Sequence, residues 1–372
     1  MLLLIALLSL PITAPVEHPE QVVRLRAALR APAPISLRIT VLGDSHTVGD
    51  RFTGHLRQRL QTRYGVGGRG FVLPGRPWRG HRQRHLKTEQ RGAWRPVDVR
   101  GHTTPWRGPG GCAMASDDPQ AMVVLKPSGP WAWLDVHLAT GQLRVEVDGQ
   151  PLRVVGPGIT RLMAPAEARA LTLRPQGSVE VLGVDFGAPS GITLDALGIN
   201  GAQANRLLRG DAAFTAGLGQ MAPDVLMLAF GTNAIYRLDA AFNMPRYQRR
   251  FAAVIARIRA AAPGAECLVL GPPDFQRRHH TAVPELAPLI EAQRRAAVAA
   301  GCAFWDARQA MGGPGSVAIW AQQGWAGKDR VHLTRSGYRA LAEALLAALE
   351  VPQAEALREP PLPGAPSMRA AP

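Results

Sequence analysis

The chain is poor in cysteine and in lysine, and none of its apolar runs is long enough to cross a bilayer. Three cysteines, Cys112, Cys267 and Cys302, make neither a disulfide framework nor a metal site. Cys267 and Cys302 each open an apolar, strand-like run. They could meet if those strands are neighbours, but buried free thiols are the expected state. Of 43 basic residues only Lys87, Lys126 and Lys328 are lysines, so arginine carries the net charge of +15. Such a charge suits an anionic partner: nucleic acid, an anionic lipid surface or an acidic cell-wall polymer. A coding bias toward arginine explains it equally well. The arginines are scattered, apart from Arg76 to Arg95, and no zinc-finger, RRM-like or helix-turn-helix signature is present. Nucleic acid is therefore not the expected partner. The glycines of Gly65 to Gly80 fit neither a Walker A motif nor a dinucleotide fingerprint, and no helix follows them. This stretch reads as an extended loop.

The apolar N-terminus, MLLLIALLSLPITAP, resembles the core of a signal peptide without a basic n-region, with Thr13 and Ala14 near a cleavage point. Residues 1–16 are read as this signal-like segment, which predicts an exported protein of the periplasm or cell envelope. Glu17 to Ala31 reads as a short amphipathic helix ended by Pro32 and Pro34. An apolar, β-branched run then breaks at Gly43-Asp44-Ser45-His46 and passes into a helix over Asp50 to Tyr64. From about Trp78 the helical period disappears. Short strands are expected at Ala121–Leu125, Trp131–Leu138, Leu143–Val147, Leu152–Val155, Ala170–Leu173 and Val179–Phe186, with a hairpin at Asp148-Gly149. That spacing predicts a β-sandwich or jelly roll. Its tryptophans (Trp78, Trp94, Trp106, Trp131 and Trp133) are read as core rather than as sugar-stacking platforms.

After Gly187 the α/β rhythm returns. Ile192–Ile199, Asp224–Phe230, Cys267–Leu270 and Cys302–Trp305 read as buried parallel strands. Pro245–Ala262, Pro284–Ala300 and Thr334–Leu349 read as helices, and Val351 to Pro372 as a disordered tail. The plan is thus α/β over 17–72, an all-β insert over 73–187, and α/β again over 188–350.

A strand that ends in a tight turn and feeds a helix places Ser45 at the carboxyl edge of a sheet, where ligands of open α/β folds bind. Far along the chain, Asp329 and His332 stand three residues apart before the last helix. An aspartate there can fix the imidazole tautomer and leave Nε2 to take the serine proton. Taken singly, the Ser45 stretch is equally well read as a polar turn with an N-capping serine, and the Asp329–His332 stretch is better read as an exposed polar loop. Together, Gly43-Asp44-Ser45-His46, Asn200-Gly201, Gly231-Thr232-Asn233 and Asp329-x-x-His332 resemble, in order, the four signature blocks of the SGNH (GDSL-type) hydrolases. The resemblance covers 37–64 and 192–349. It implies a three-layer αβα fold with a parallel sheet, Ser45 as nucleophile, His332 as general base and acid, and Asp329 as its orienting partner. It also implies an oxyanion hole from the Ser45 and Gly201 N–H groups and the Asn233 side chain, and no metal or cofactor. His46 stands where the family often has leucine and is given no special role.

The interrupting β domain and the segment from Gly43 to Trp78 are similar to bacterial peptidoglycan O-acetylesterases with an inserted carbohydrate-binding-like module. The expected activity is removal of O-acetyl groups from a carbohydrate polymer, most plausibly peptidoglycan, so that the expected partner is an acetylated polysaccharide. The alternatives are an esterase or O-acetyltransferase for another acylated polysaccharide, and a catalytically inert polysaccharide-binding protein.

Overall fold

The computed structural model describes residues 14–79, 81–98, 104–236 and 242–350. Most of the signal-like segment and the whole of the tail from Val351 lie outside them. The centre is a six-stranded sheet in the order Val16–Glu17, Ala303–Trp305, Glu266–Leu270, Val225–Ala229, Ser36–Gly43 and Gly191–Gly198. Every neighbouring pair is parallel except the short edge strand at Val16–Glu17. Strand Ser36–Gly43 pairs on one side with Gly191–Gly198 and on the other with Val225–Ala229. The direction of winding therefore reverses at the end of this strand, the switch point where open α/β sheets place their ligands.

Period-two alternation divides the strand side chains between two cores. Ile39, Val41, Val225 and Met227 face helices Val23–Arg30, Phe52–Tyr64 and Arg335–Ala348 through Leu25, Leu56, Leu60, Leu341 and Leu345. Leu42, Leu226 and Leu228 face helices Ala212–Met221, Met244–Ala261 and Leu286–Ala299 through Phe214, Phe251, Ile255 and Leu289. The result is the three-layer αβα arrangement expected from the sequence.

Two antiparallel sheets pack around a third core that contains Val123, Leu134, Val145, Leu173 and Val184. One has five strands, ordered Gln150–Val155, Leu143–Val147, Leu171–Pro175, Met122–Pro127 and Leu86–Arg91. The other runs Gly158–Met163, Trp133–Thr140, Val179–Gly187, Ala113–Ser116 and Arg95–Val97. Strand Gly70–Val72 adds to Val179–Gly187, so the glycine-rich connection is not loop throughout. Asp148 and Gly149 both take positive φ (50° and 80°) and join two strands, the mirror-image turn expected of an Asp-Gly hairpin. Trp106 and Trp131 are buried as expected, and Trp133 lies beneath the Arg161 guanidinium at 5.3 Å.

Two departures concern the first layer. The amphipathic segment read as one helix is a 3₁₀ turn, Pro19–Val22, followed by an α-helix, Val23–Arg30. Val16 and Glu17 belong to a strand. The expectation of free thiols at Cys267 and Cys302 is wrong: the two form a disulfide. The reason is register. Leu268 pairs with Ala303 on adjacent parallel strands, which sets the preceding residues side by side with Cα atoms 4.6 Å apart. Cys112 is a buried free thiol.

Candidate active site

Ser45 opens a single helical turn, Ser45–Val48, directly after strand Ser36–Gly43. Asp44 caps that turn, its Oδ1 accepting from the His46 N–H at 3.0 Å. The turn folds tightly against the strand end. A Cβ on Gly43 would meet Thr47 Oγ1 at 2.0 Å, so only glycine fits there. The loop before helix Arg335–Ala348 reaches the same sheet edge. His332 Nε2 lies 2.9 Å from Ser45 Oγ, and His332 Nδ1 lies 2.6 Å from Asp329 Oδ2. Asp329 Oδ1 accepts from the Val331 and His332 N–H groups, each at 3.1 Å. Burial opposes its ionisation, yet the hydrogen bonds from His332 and these two amides hold the carboxyl below its usual range. The structure therefore brings Ser45, His332 and Asp329 into one hydrogen-bonded chain. About half of the Asp329 and His332 side-chain surface stays open to solvent, at 51% and 45%.

Gly201 and Asn233 come to the same place. Gly201 takes φ +73°, with open space where a side chain would stand. The Asn233 Nδ2 donates to Asp44 Oδ2 at 3.1 Å and to the Ala202 carbonyl at 3.2 Å. It thus ties the turn before Ser45 to the turn after Gly201. In this arrangement its N–H groups are aimed at those two acceptors rather than at the space above Ser45 Oγ.

Three groups to which the sequence assigned no role of their own, His46, Thr232 and Tyr338, take part here. His46 Nδ1 lies 2.8 Å from the Tyr338 hydroxyl, its Nε2 lies 3.3 Å from Thr232 Oγ1, and its ring centroid is 5.4 Å from that of His332. Desolvation, helped by the neighbouring His332 and opposed by Asp329, lowers its pKa to about 3, so the imidazole is neutral. His46 therefore has a role the sequence did not assign. It joins helix Arg335–Ala348 to the Thr232 turn beside Ser45 and His332. The signal was its departure from the leucine common in this motif. Tyr338 carried no signal and Thr232 only its place in the Gly231-Thr232-Asn233 block, because their partners come from distant segments.

Asp44 is 1% exposed, and burial raises its pKa to about 7 against the opposing hydrogen bonds of the His46 amide and Asn233 and the charge of His332. In the unfolded chain this carboxyl titrates near ~3.9. Its folded pKa is higher, so folding is favoured most at low pH and loses stability as the pH rises through the interval between the two values. Asp44→Asn removes that loss. Its melting temperature relative to the parent is expected to climb between about pH 4 and pH 7 and to level off above. A parallel pair of melting curves over this range would rule the assignment out.

Among the described residues, no cluster of three or more His, Cys, Asp or Glu side chains is placed to hold a metal ion. No described helix is long and apolar enough to cross a membrane.

The comparisons with known proteins fit this geometry. The sequence profile of the GDSL-like Lipase/Acylhydrolase family matches residues 173–340. A solved structure of a peptidoglycan O-acetylesterase aligns with 28% identity and a TM-score of 0.77, over 89% of this chain and 95% of that one. A putative GDSL-like lipase from Parabacteroides merdae aligns over 44% of this chain and 74% of its own, with 16% identity and a TM-score of 0.36. A Corynascus thermopiles carbohydrate esterase of family 2, with its carbohydrate-binding domain, aligns over 69% of this chain and 100% of its own, with 14% identity and a TM-score of 0.34. These two likenesses are too distant to carry an argument. No curated protein sequence matches the chain significantly. The profile match over 173–340 and the near full-length likeness together support an SGNH ester hydrolase of the GDSL-like kind, one that resembles peptidoglycan O-acetylesterases.

Proposed function

We propose that this protein is a serine esterase that removes O-acetyl groups from a carbohydrate polymer, with peptidoglycan as the substrate class. The observation that carries the mechanism is the hydrogen-bonded chain Ser45 Oγ, His332 Nε2, His332 Nδ1 and Asp329 Oδ2, at 2.9 and 2.6 Å. Support for the substrate comes from the likeness to a peptidoglycan O-acetylesterase over 89% of the chain.

The steps follow from the geometry. Ser45 Oγ attacks the acetyl carbonyl carbon as its proton passes to His332 Nε2. Asp329 holds Nδ1–H and stabilises the imidazolium that forms. The negative charge on the carbonyl oxygen is met by the Ser45 and Gly201 N–H groups. Asn233 joins them as a third donor only by turning an N–H away from Asp44 or the Ala202 carbonyl. Collapse breaks the bond to the sugar oxygen, which takes the proton from His332 and leaves. Water, deprotonated by His332, then attacks the acetyl-serine and releases acetate.

Residues of this chain account for each proton transfer. The Cys267–Cys302 disulfide and the signal-like N-terminus support an exported, periplasmic or cell-envelope location. The alternative of an inert binding protein falls with the assignment to ester hydrolases. The test is acetate release from O-acetylated peptidoglycan, run beside a small aryl acetate and a product analysis for acetylated sugar. Acetate from both substrates is the expected result. Hydrolysis of the aryl ester alone would overturn the polymer assignment, and acetylated sugar in excess of acetate would make the protein a transferase.

A further inference from the structure

Beside the catalytic groups lies a cavity of about 700 Å³ that His332 and Asp329 help to line. Five cationic side chains also line it: Arg51, Arg82, Arg84, Lys328 and Arg335. They come from three separated segments of the chain. Arg82 and Arg84 belong to the arginine-rich stretch after Trp78 that leads into the antiparallel sheets. Arg51 precedes helix Phe52–Tyr64, and Lys328 and Arg335 flank the His332 loop.

Several arginines elsewhere are neutralised within the chain. Arg57, Arg69, Arg294 and Arg308 each hold a carboxylate of the chain. Among the described residues none of the five forms such a pair. The one carboxylate lining the cavity is that of Asp329, which is engaged with His332. The positive charges also press on one another. Arg84 is lowered in pKa first by burial, with Asp50 opposing and Arg335 and Arg57 adding to the shift. Arg335 is the first residue of helix Arg335–Ala348, where the helix dipole disfavours a cation and favours an anion. Arg51 donates to the Leu333 carbonyl and Arg84 to Gln58 Oε1, both neutral acceptors, so five like charges folded against each other with no carboxylate partner are left for a ligand of opposite sign.

We propose that this cavity is an anion subsite, which holds a carboxylate of the acetylated polymer while the ester lies at Ser45. Arginine forks match the two oxygens of a carboxylate, and Lys328 adds a point charge. In peptidoglycan the peptide stems supply carboxylates next to the acetylated sugar, and the inference in that form rests on the function proposed above. The esterase then selects acetyl groups by the charge of their neighbour as well as by the ester itself.

The test uses Arg82→Gln with Arg335→Gln, two solvent-exposed positions whose loss removes no packing. In an Ser45→Ala background the protein is bound to intact peptidoglycan and to glycan stripped of its carboxylate charges by carbodiimide coupling to methylamine. The double variant is expected to weaken binding to intact material about tenfold or more and to bind stripped glycan no differently from its parent. In the active enzyme KM for intact material is expected to rise with little change in kcat. Equal binding of intact and stripped glycan by parent and variant would overturn the subsite. A second pair of substrates separates this from failure of the peptidoglycan assignment. On acetylated pectin, which is acidic, the variant is expected to lose at least about tenfold more kcat/KM than on neutral acetylated xylan. Equal losses on the two would overturn the inference whichever polymer is natural.

Discussion

Replacing Ser45 with alanine is expected to lower kcat for ester hydrolysis by about 10⁴- to 10⁶-fold, with the melting temperature near that of the parent. The magnitude follows from what remains. Without the hydroxyl there is no acetyl-enzyme, and only water positioned near the Ser45 and Gly201 amides can react. The same reasoning makes the triad non-additive. His332 Nε2 serves only to move the proton of Ser45 Oγ and later of water, across the 2.9 Å contact. His332→Ala should therefore cost nearly as much as Ser45→Ala, and the two together little more than either alone. The measurement is single-turnover and steady-state hydrolysis of an aryl acetate, with labelling by a fluorophosphonate as an independent readout. Ser45→Ala should abolish labelling. Two single losses that multiply in the double variant would mean that the residues act on separate steps. Labelling that survives Ser45→Ala would place the nucleophile elsewhere.

The fold and the meeting of Ser45, His332 and Asp329 were legible in the sequence for a shared reason. Both rest on local patterns with strong physical consequences. Val225–Ala229 and Glu266–Leu270 are buried on both faces, so their apolar runs are unbroken and read as parallel strands. The turns at Ser45, Gly201 and Asn233 follow such strands and fall on one sheet edge, while the His332 loop precedes the last helix. The strands that escaped notice break the pattern. Leu86–Arg91 alternates half-buried and exposed residues with a charged or polar outer face, and Gly158–Met163 is largely exposed. Their sequences, LKTEQR and GITRLM, look like loop. The disulfide, the contact of His46 with Tyr338 and the cationic cavity were hidden for a different reason. Each depends on register or on segments far apart in sequence, and no local property of Cys302, Tyr338 or Arg82 announces its partner.

Arg38→Met is expected to destabilise the protein by about 3–5 kcal/mol. Arg38 lies in strand Ser36–Gly43, with its side chain 16% exposed. Its Nη1 donates to Asp185 at 2.7 Å, its Nε donates to Asp195 at 2.9 Å, and its Nη2 donates to both carboxylates at 2.9 Å. Asp195 is further held by the Thr40 hydroxyl at 2.7 Å and the Phe71 N–H at 2.8 Å. Asp185 belongs to strand Val179–Gly187 of the antiparallel layer, so one guanidinium fastens that layer to the catalytic sheet. Burial raises the pKa of Asp185 even with Arg38 beside it, and removing the cation pushes it higher. A raised folded pKa contributes stability at low pH that is lost as the pH increases. The deficit of Arg38→Met should therefore be smaller near pH 4, where the Asp185 carboxyl can be neutral, and large at pH 8. Chemical unfolding at the two pH values measures it. Adding Asp185→Asn to Arg38→Met should recover part of the loss at pH 8 and little at pH 4, because it removes a buried charge only where that charge exists. A deficit that is the same at both pH values would mean that Arg38 acts by packing alone, and the antiparallel layer would then be seated by its apolar contacts rather than by this ion pair.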